Sequence, residues 1–159
     1  MIRAAPEFNR KERLGGQGRS SAQGNSLMAS VLLVEDVRFV RALLRRFLEA
    51  GGHEVMECDG GEKAGGLVAR HRFDVVVTDI CMQDGDGVAF IRGLRSNGAT
   101  PAIIAMTGGD PSLARSESAG RAIDAGADLV LMKPVSKPEL LAAVAGAFTT
   151  SGALSSRTC

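Results

Sequence analysis

The stretch Phe73 to Gly87, FDVVVTDICMQDGDG, opens on Val75 to Thr78, a β-branched run with no face for solvent, bounded by the charged Arg72 and Asp74. Such a run reads as a strand buried on both sides of a sheet. At its carboxyl end it delivers one acid, Asp79, into a loop that carries Asp84, Gly85, Asp86 and Gly87. Open α/β sheets gather their chemistry at strand ends of this kind.

The flanking segments repeat the arrangement. Upstream, Val31 to Val34 reads as a second buried strand and ends abruptly in Glu35 and Asp36. Val37, Val40, Leu44, Phe47 and Leu48 then recur at helical spacing, Arg38, Arg41 and Arg45 take the opposite face, and Gly51-Gly52 stops the helix. Glu54 to Cys58 is a short strand, and Gly61 to Arg70 a helix weakened by Gly65 and Gly66. Downstream, Gly87 to Arg95 forms a helix ended by Asn97-Gly98, and Ala102 to Met106 is an apolar strand finishing at Thr107, Gly108 and Gly109. Ser112 to Ala125 is an Ala- and Ser-rich helix, Asp128 to Met132 a fifth strand closed by Lys133-Pro134, and Pro138 to Phe148 a last helix.

Strands alternating with helices at this spacing specify right-handed βαβ units on a parallel sheet. The expected architecture is a doubly wound α/β/α sandwich of three layers over residues 30–148. Residues 1–29, rich in Gly, Ser, Arg and Gln, and the polar residues 149–159 read as flexible tails that cannot offset the entropy of ordering them.

A chain of 159 residues suits one domain with a hydrophobic core and is short for a receptor part plus a full output domain. A formal charge of +1 and the absence of Trp and Tyr give no drive toward nucleic acid or an anionic membrane. Three widely spaced cysteines, Cys58, Cys81 and Cys159, fit reduced thiols in the cytoplasm. No apolar run follows the amino-terminal arginines or approaches the length of a membrane span, so a soluble, unexported protein is expected.

Four of the five strands end in polar groups that an apolar strand does not need: Glu35-Asp36, Asp79, Thr107 and Lys133. A parallel sheet puts all its carboxyl ends on one edge, so these side chains converge. Carboxylates brought together raise one another's pKa unless a cation lies between them. Oxygen ligands without His or thiolate select a hard divalent ion, and Mg²⁺ is the natural choice. Carboxylates, a fixed ammonium and a hydroxyl around such an ion make a phosphoryl-transfer site, with Asp79 as the nucleophile.

The motifs VLLVED, DVVVTDICMQDGDG, IIAMTG and GADLVLMKP, in that order and spacing, resemble the receiver domain of two-component response regulators. The resemblance covers residues 30 to about 148 and implies a flavodoxin-like, five-stranded sheet of order 2-1-3-4-5. It implies that Asp79 is the phosphoacceptor, charged by a sensor histidine kinase or a histidine phosphotransfer protein. Asp36, Asp79 and the Cys81 carbonyl would bind Mg²⁺, and Glu35 would act largely through metal-bound water. Lys133 would pair with the phosphoryl oxygens and Thr107 would hydrogen-bond one of them, with a cis peptide before Pro134. Gly108-Gly109 reads either as a plain turn or as small residues that would leave room for the phosphoryl group, and the Cys81 side chain, two residues after Asp79, would affect its hydrolysis. The chain departs from the family in three places: Gln83 replaces a proline, Gly85 an apolar residue, and Val130 the switch Tyr or Phe of many members. The first two imply a looser loop around the acceptor.

The expected function is thus a single-domain response regulator in a phosphorelay. It would catalyse only its own Mg²⁺-dependent phosphorylation and dephosphorylation, and act on an unidentified protein target. The other readings are a phosphorylation-independent pseudo-receiver, which a missing site residue would favour, and a flavin- or nucleotide-binding protein, for which neither GxGxxG nor GxxxxGK is present. Phe39 and Leu43, off the main stripe of the first helix, read as core edge, with docking of the phosphodonor as the other role. His53 and His71 read as exposed. Asp84 and Asp86 are not a calcium loop, because Val88 stands where a third oxygen ligand is needed.

Overall fold

A computed structural model describes residues 28–83, 85–99, 101–108 and 115–155. Five parallel strands form the sheet: β1 (Ser30–Val34), β2 (Glu54–Cys58), β3 (Val75–Asp79), β4 (Ala102–Thr107) and β5 (Leu129–Met132). Their order across the sheet is 2-1-3-4-5, as expected. The helices are α1 (Arg38–Ala50), α2 (Gly61–Arg70), α3 (Gly87–Ser96), α4 (Arg115–Ala125) and α5 (Lys137–Ser155).

Alternate residues along each central strand enter opposite layers, the period-two rule of the pleat. Val31, Leu33, Val75, Val77, Ile104 and Met106 pack with Leu44 and Leu48 of α1 and Leu140 and Val144 of α5. Leu32, Val34, Val76, Ile103 and Ala105 pack on the other side with Ala64 of α2, Ile91 and Leu94 of α3 and Ala122 of α4. All five residues of β3 are buried, whereas the edge strands β2 and β5 are half-exposed. The stretch from Phe73 therefore lies at the centre of the sheet because only there does a strand bury both faces.

Three details differ from the sequence reading. Cys81–Met82 and Gly85–Asp86, expected as loop, pair as a small antiparallel ribbon beyond the end of β3, with Cys81 opposite Asp86. α5 continues past Phe148 to Ser155, so the expected tail from 149 is helical over much of its length. At the other end Ala29 is already buried, with its carbonyl accepting the Glu54 N–H and its own N–H donating to the His53 ring, while residues 1–27 of the expected tail lie outside the described residues. Gly109 and most of the expected segment before α4 also lie outside them.

His53 corrects the exposed reading: it is half-buried, and its Nδ1 accepts the Ala29 N–H at 3.2 Å, whereas His71 is exposed. Burial lowers the His53 pKa below its ordinary value of 6.5. A depressed folded-state value means that this stabilisation is complete above pH 6.5 and declines as pH falls through the lower folded value, where protonation removes the acceptor. Thermal melts from about pH 7.5 to about pH 5 should therefore show a loss of Tm that is smaller in His53→Ala; an identical slope in both proteins would refute the assignment.

Candidate functional site

The site forms where the chain leaves β1, β3, β4 and β5. The β1–β2 ladder extends one residue beyond the strands, through Glu35 N–H to Cys58 O at 3.2 Å, which fixes Glu35 at full burial. Its Oε1 accepts the Val37 N–H at 3.2 Å. On the next strand, β3 presents Asp79, 3 % exposed, whose Oδ1 accepts the Cys81 N–H at 3.1 Å. The β4–β5 ladder likewise extends to Lys133 N–H donating to Thr107 O at 2.8 Å, so register alone sets the lysine beside the buried threonine. The Lys133-Pro134 bond is cis, as the resemblance implies.

Lys133 reaches across the strand ends. Its Nζ lies 2.7 Å from Glu35 Oε2 and 3.0 Å from Asp79 Oδ2. Burial pushes the Glu35 carboxyl above its ordinary value, opposed by its hydrogen bond to Lys133, with the Asp79 charge adding to the rise. Burial alone would lower the Lys133 ammonium, but the hydrogen bond to Glu35 and the Asp79 charge outweigh it, and its pKa is raised. The site thus holds its lysine firmly charged and is left with an excess of anion.

Asp36 completes the acidic group: one carboxylate oxygen from each of Glu35, Asp36 and Asp79 lies within 4.8 Å of the others. Like charges about 4 Å apart repel by roughly 4 kcal/mol at an effective dielectric near 20. One ammonium cannot offset three such acids. Among the described residues, moreover, Asp36 Oδ1 is buried without a hydrogen-bond partner, while Oδ2 accepts the Gln83 N–H at 2.8 Å. An unsatisfied buried oxygen on a member of a cluster of oxygen donors fits a hard divalent cation.

The sequence reading missed three contributors. Arg41, placed there on the solvent face, donates through Nη1 to Glu35 O at 2.6 Å and to Asp36 O at 3.4 Å, clasping the turn that carries both acids. Its position one turn into α1 was the available signal. Gly87, noted only as a loop and helix-start residue, is the close-packing point: a Cβ there would lie 2.3 Å from Asp79 O and 2.5 Å from Ile80 Cα. Gln83, assigned to a looser loop, instead ties that loop to Asp36 through its amide.

The remaining expected residues fall as follows. Cys81 is exposed at its side chain, and Cys58 is buried with its thiol pushed up to about 11, which leaves it protonated and unreactive. Among the described residues a Cβ at Gly108 would meet just the Lys133 stem, at 3.9 Å. Val130 is half-buried and packs toward the α3 and α4 layer. Phe39 and Leu43 are 81 % and 43 % exposed, which overturns their reading as core edge: they stand on the outer face of α1. No helix among the described residues is long and apolar enough to cross a membrane.

Comparison with known proteins agrees with this geometry. The response regulator receiver domain family matches residues 31–145. The KDP operon transcriptional regulatory protein KdpE of Escherichia coli is 38 % identical over 117 residues, 72 % of this chain and 49 % of KdpE. Response regulator MprA of Mycobacterium sp. strain KMS is 42 % identical over 112 residues, 70 % of this chain and 47 % of MprA. The chain therefore spans about half the length of these curated relatives. The chemotaxis response regulator CheY4 of Vibrio cholerae superposes with a TM-score of 0.67 at 27 % identity, covering 76 % of this chain and 98 % of CheY4. With the acids, hydroxyl and lysine gathered at one sheet edge and the family match running from β1 into α5, the chain belongs to the response regulator receiver domain family.

Proposed function

We propose that the chain is a phosphorylation switch that accepts a phosphoryl group on Asp79 from a histidine kinase or histidine phosphotransfer protein and signals through a protein target. The observation that carries this reading is the placement of Asp79 at the strand edge, buried, 3.0 Å from Lys133 Nζ and clustered with Glu35 and Asp36. An Asp79 carboxylate oxygen attacks phosphorus. A P–O bond forms, the P–N bond to the donor histidine breaks, and its electron pair returns to the imidazole. Lys133 holds positive charge beside the acceptor, where the incoming phosphoryl oxygens carry negative charge. Thr107, at the end of the neighbouring strand, would bind one of those oxygens through its hydroxyl afterwards. Glu35, Asp36, Asp79 and the Cys81 carbonyl would hold Mg²⁺, which when bound neutralises charge on the transferring group.

The test is incubation of the whole protein with acetyl phosphate and Mg²⁺, read by intact mass and a phosphate-affinity gel. One added phosphoryl group is expected; none, from either acetyl phosphate or a cognate kinase, would overturn the reading in favour of an unmodified interaction module.

Transfer from a protein donor needs a docking face, and the exposed Phe39 and Leu43 on α1 provide an apolar pair one turn apart. Phe39→Ala and Leu43→Ala are expected to slow phosphotransfer from a histidine phosphotransfer protein about tenfold or more relative to the reaction with acetyl phosphate, the loss of a modest hot spot. Equal slowing with both donors would place the defect in folding or chemistry instead.

A further inference from the structure

The loop after β3 touches the acidic cluster at one point that a side-chain reading cannot find. Asp36 sits in the turn between β1 and α1, and Gln83 follows the first strand of the small ribbon, yet the Gln83 N–H donates to Asp36 Oδ2 at 2.8 Å across 47 residues of chain. The other oxygen, Oδ1, is buried and has no hydrogen-bond partner among the described residues. A carboxylate fixed through one oxygen cannot rotate freely, so the contact decides which oxygen is left without a protein partner. The same turn is also gripped by Arg41, whose guanidinium donates to the Glu35 and Asp36 carbonyls. Main chain and carboxylate are thus both fixed before any cation arrives.

We infer that the backbone amide of Gln83 is a positioning group for the cation site: it orients Asp36 so that Oδ1 is presented as a ready ligand, and it tethers the loop after Asp79 to the β1–α1 turn. This rests on the proposed phosphoacceptor function for its purpose, and on the two oxygens of Asp36 for its geometry. The contact depends on residue 83 having an amide hydrogen, which proline lacks. It does not depend on the glutamine side chain.

The test is Mg²⁺ binding to the full chain by isothermal titration calorimetry, comparing wild type, Gln83→Pro and Gln83→Ala, with thermal melts in EDTA alongside. Gln83→Pro is expected to weaken Mg²⁺ binding about tenfold, since a hydrogen bond to a charged group contributes on that order. Gln83→Ala is expected to retain the affinity within about twofold, because it keeps the amide through which the contact runs. Equal affinity in Gln83→Pro and wild type, or equal loss in both variants, would overturn the inference. If Gln83→Pro fails to fold, amide hydrogen exchange decides. The Gln83 amide should exchange slowly in metal-free wild type and markedly faster in Asp36→Ala, and an unchanged rate would refute the contact. These outcomes are separable from the phosphoacceptor reading: a wild type that binds Mg²⁺ but takes no phosphoryl group sinks that reading, and a wild type that takes the group with Gln83→Pro equal to it in affinity sinks only this inference.

Discussion

Asp79→Asn is expected to gain no phosphoryl group from acetyl phosphate and Mg²⁺ under conditions that charge wild type, and EDTA should abolish the gain in wild type as well. The substitution keeps shape and the acceptor for the Cys81 amide, but an amide oxygen is a poor nucleophile and carries no charge to bring the cation and phosphoryl group together. It also removes one of three clustered carboxylates, two of which, Glu35 and Asp79, pair with Lys133, so folding should survive intact. Circular dichroism and a thermal melt beside the mass measurement check this. A folded Asp79→Asn variant that is still modified would move the acceptor elsewhere and dismantle the mechanism. Loss in EDTA without loss in Asp79→Asn would show that the cation is needed by a different nucleophile.

Gly87→Ala is expected to destabilise the protein by about 3 kcal/mol, at the upper end of overpacking costs. Gly87 opens α3 directly against the end of β3, and its N–H returns to Ile80 O at 3.3 Å. An added methyl would meet the Asp79 carbonyl at 2.3 Å and Ile80 Cα at 2.5 Å, atoms of main chain that no rotamer change can move. Either α3 lifts from the sheet or the backbone of Asp79 itself shifts. Phosphorylation should therefore slow even at temperatures where the variant remains folded. The reference is Gly93→Ala in the same helix: among the described residues nothing lies within 4 Å of a Cβ there, so it should gain about 0.5–1 kcal/mol from helix propensity. Urea denaturation of the two variants gives both numbers. A Gly87→Ala protein as stable as wild type would mean that the helix start has slack that its packing does not show.

The sequence made the fold legible wherever burial was all or none. Val31 to Val34, Val75 to Thr78 and Ala102 to Met106 could only be central strands, because runs without a polar side have no stable exposed arrangement. The site was legible for a related reason: Glu35, Asp36, Asp79, Thr107 and Lys133 interrupt apolar runs at points where a surface turn needs no such chemistry. Phe39 and Leu43 were misread because exposure depends on whether a neighbouring element covers the helix face, which periodicity does not record. Val130 could be assigned to a strand, while its half-burial follows from β5 lying at the sheet edge.

What the sequence by itself determined, then, is the order of strands and helices, the burial of the central strands and the acids, hydroxyl and lysine that end the strands at the carboxyl edge, since these follow from hydrophobic period and βα alternation. Only the tertiary structure decided that Lys133 bridges Glu35 and Asp79, that Arg41 turns inward to two carbonyls, that Gly87 has no room for a methyl, and that Gln83 serves through its amide. The physical reason is common to all four. Each is a contact between segments far apart in the chain or with the main chain itself, and main-chain groups are the same at every residue, so no pattern of side chains can announce which of them will be used.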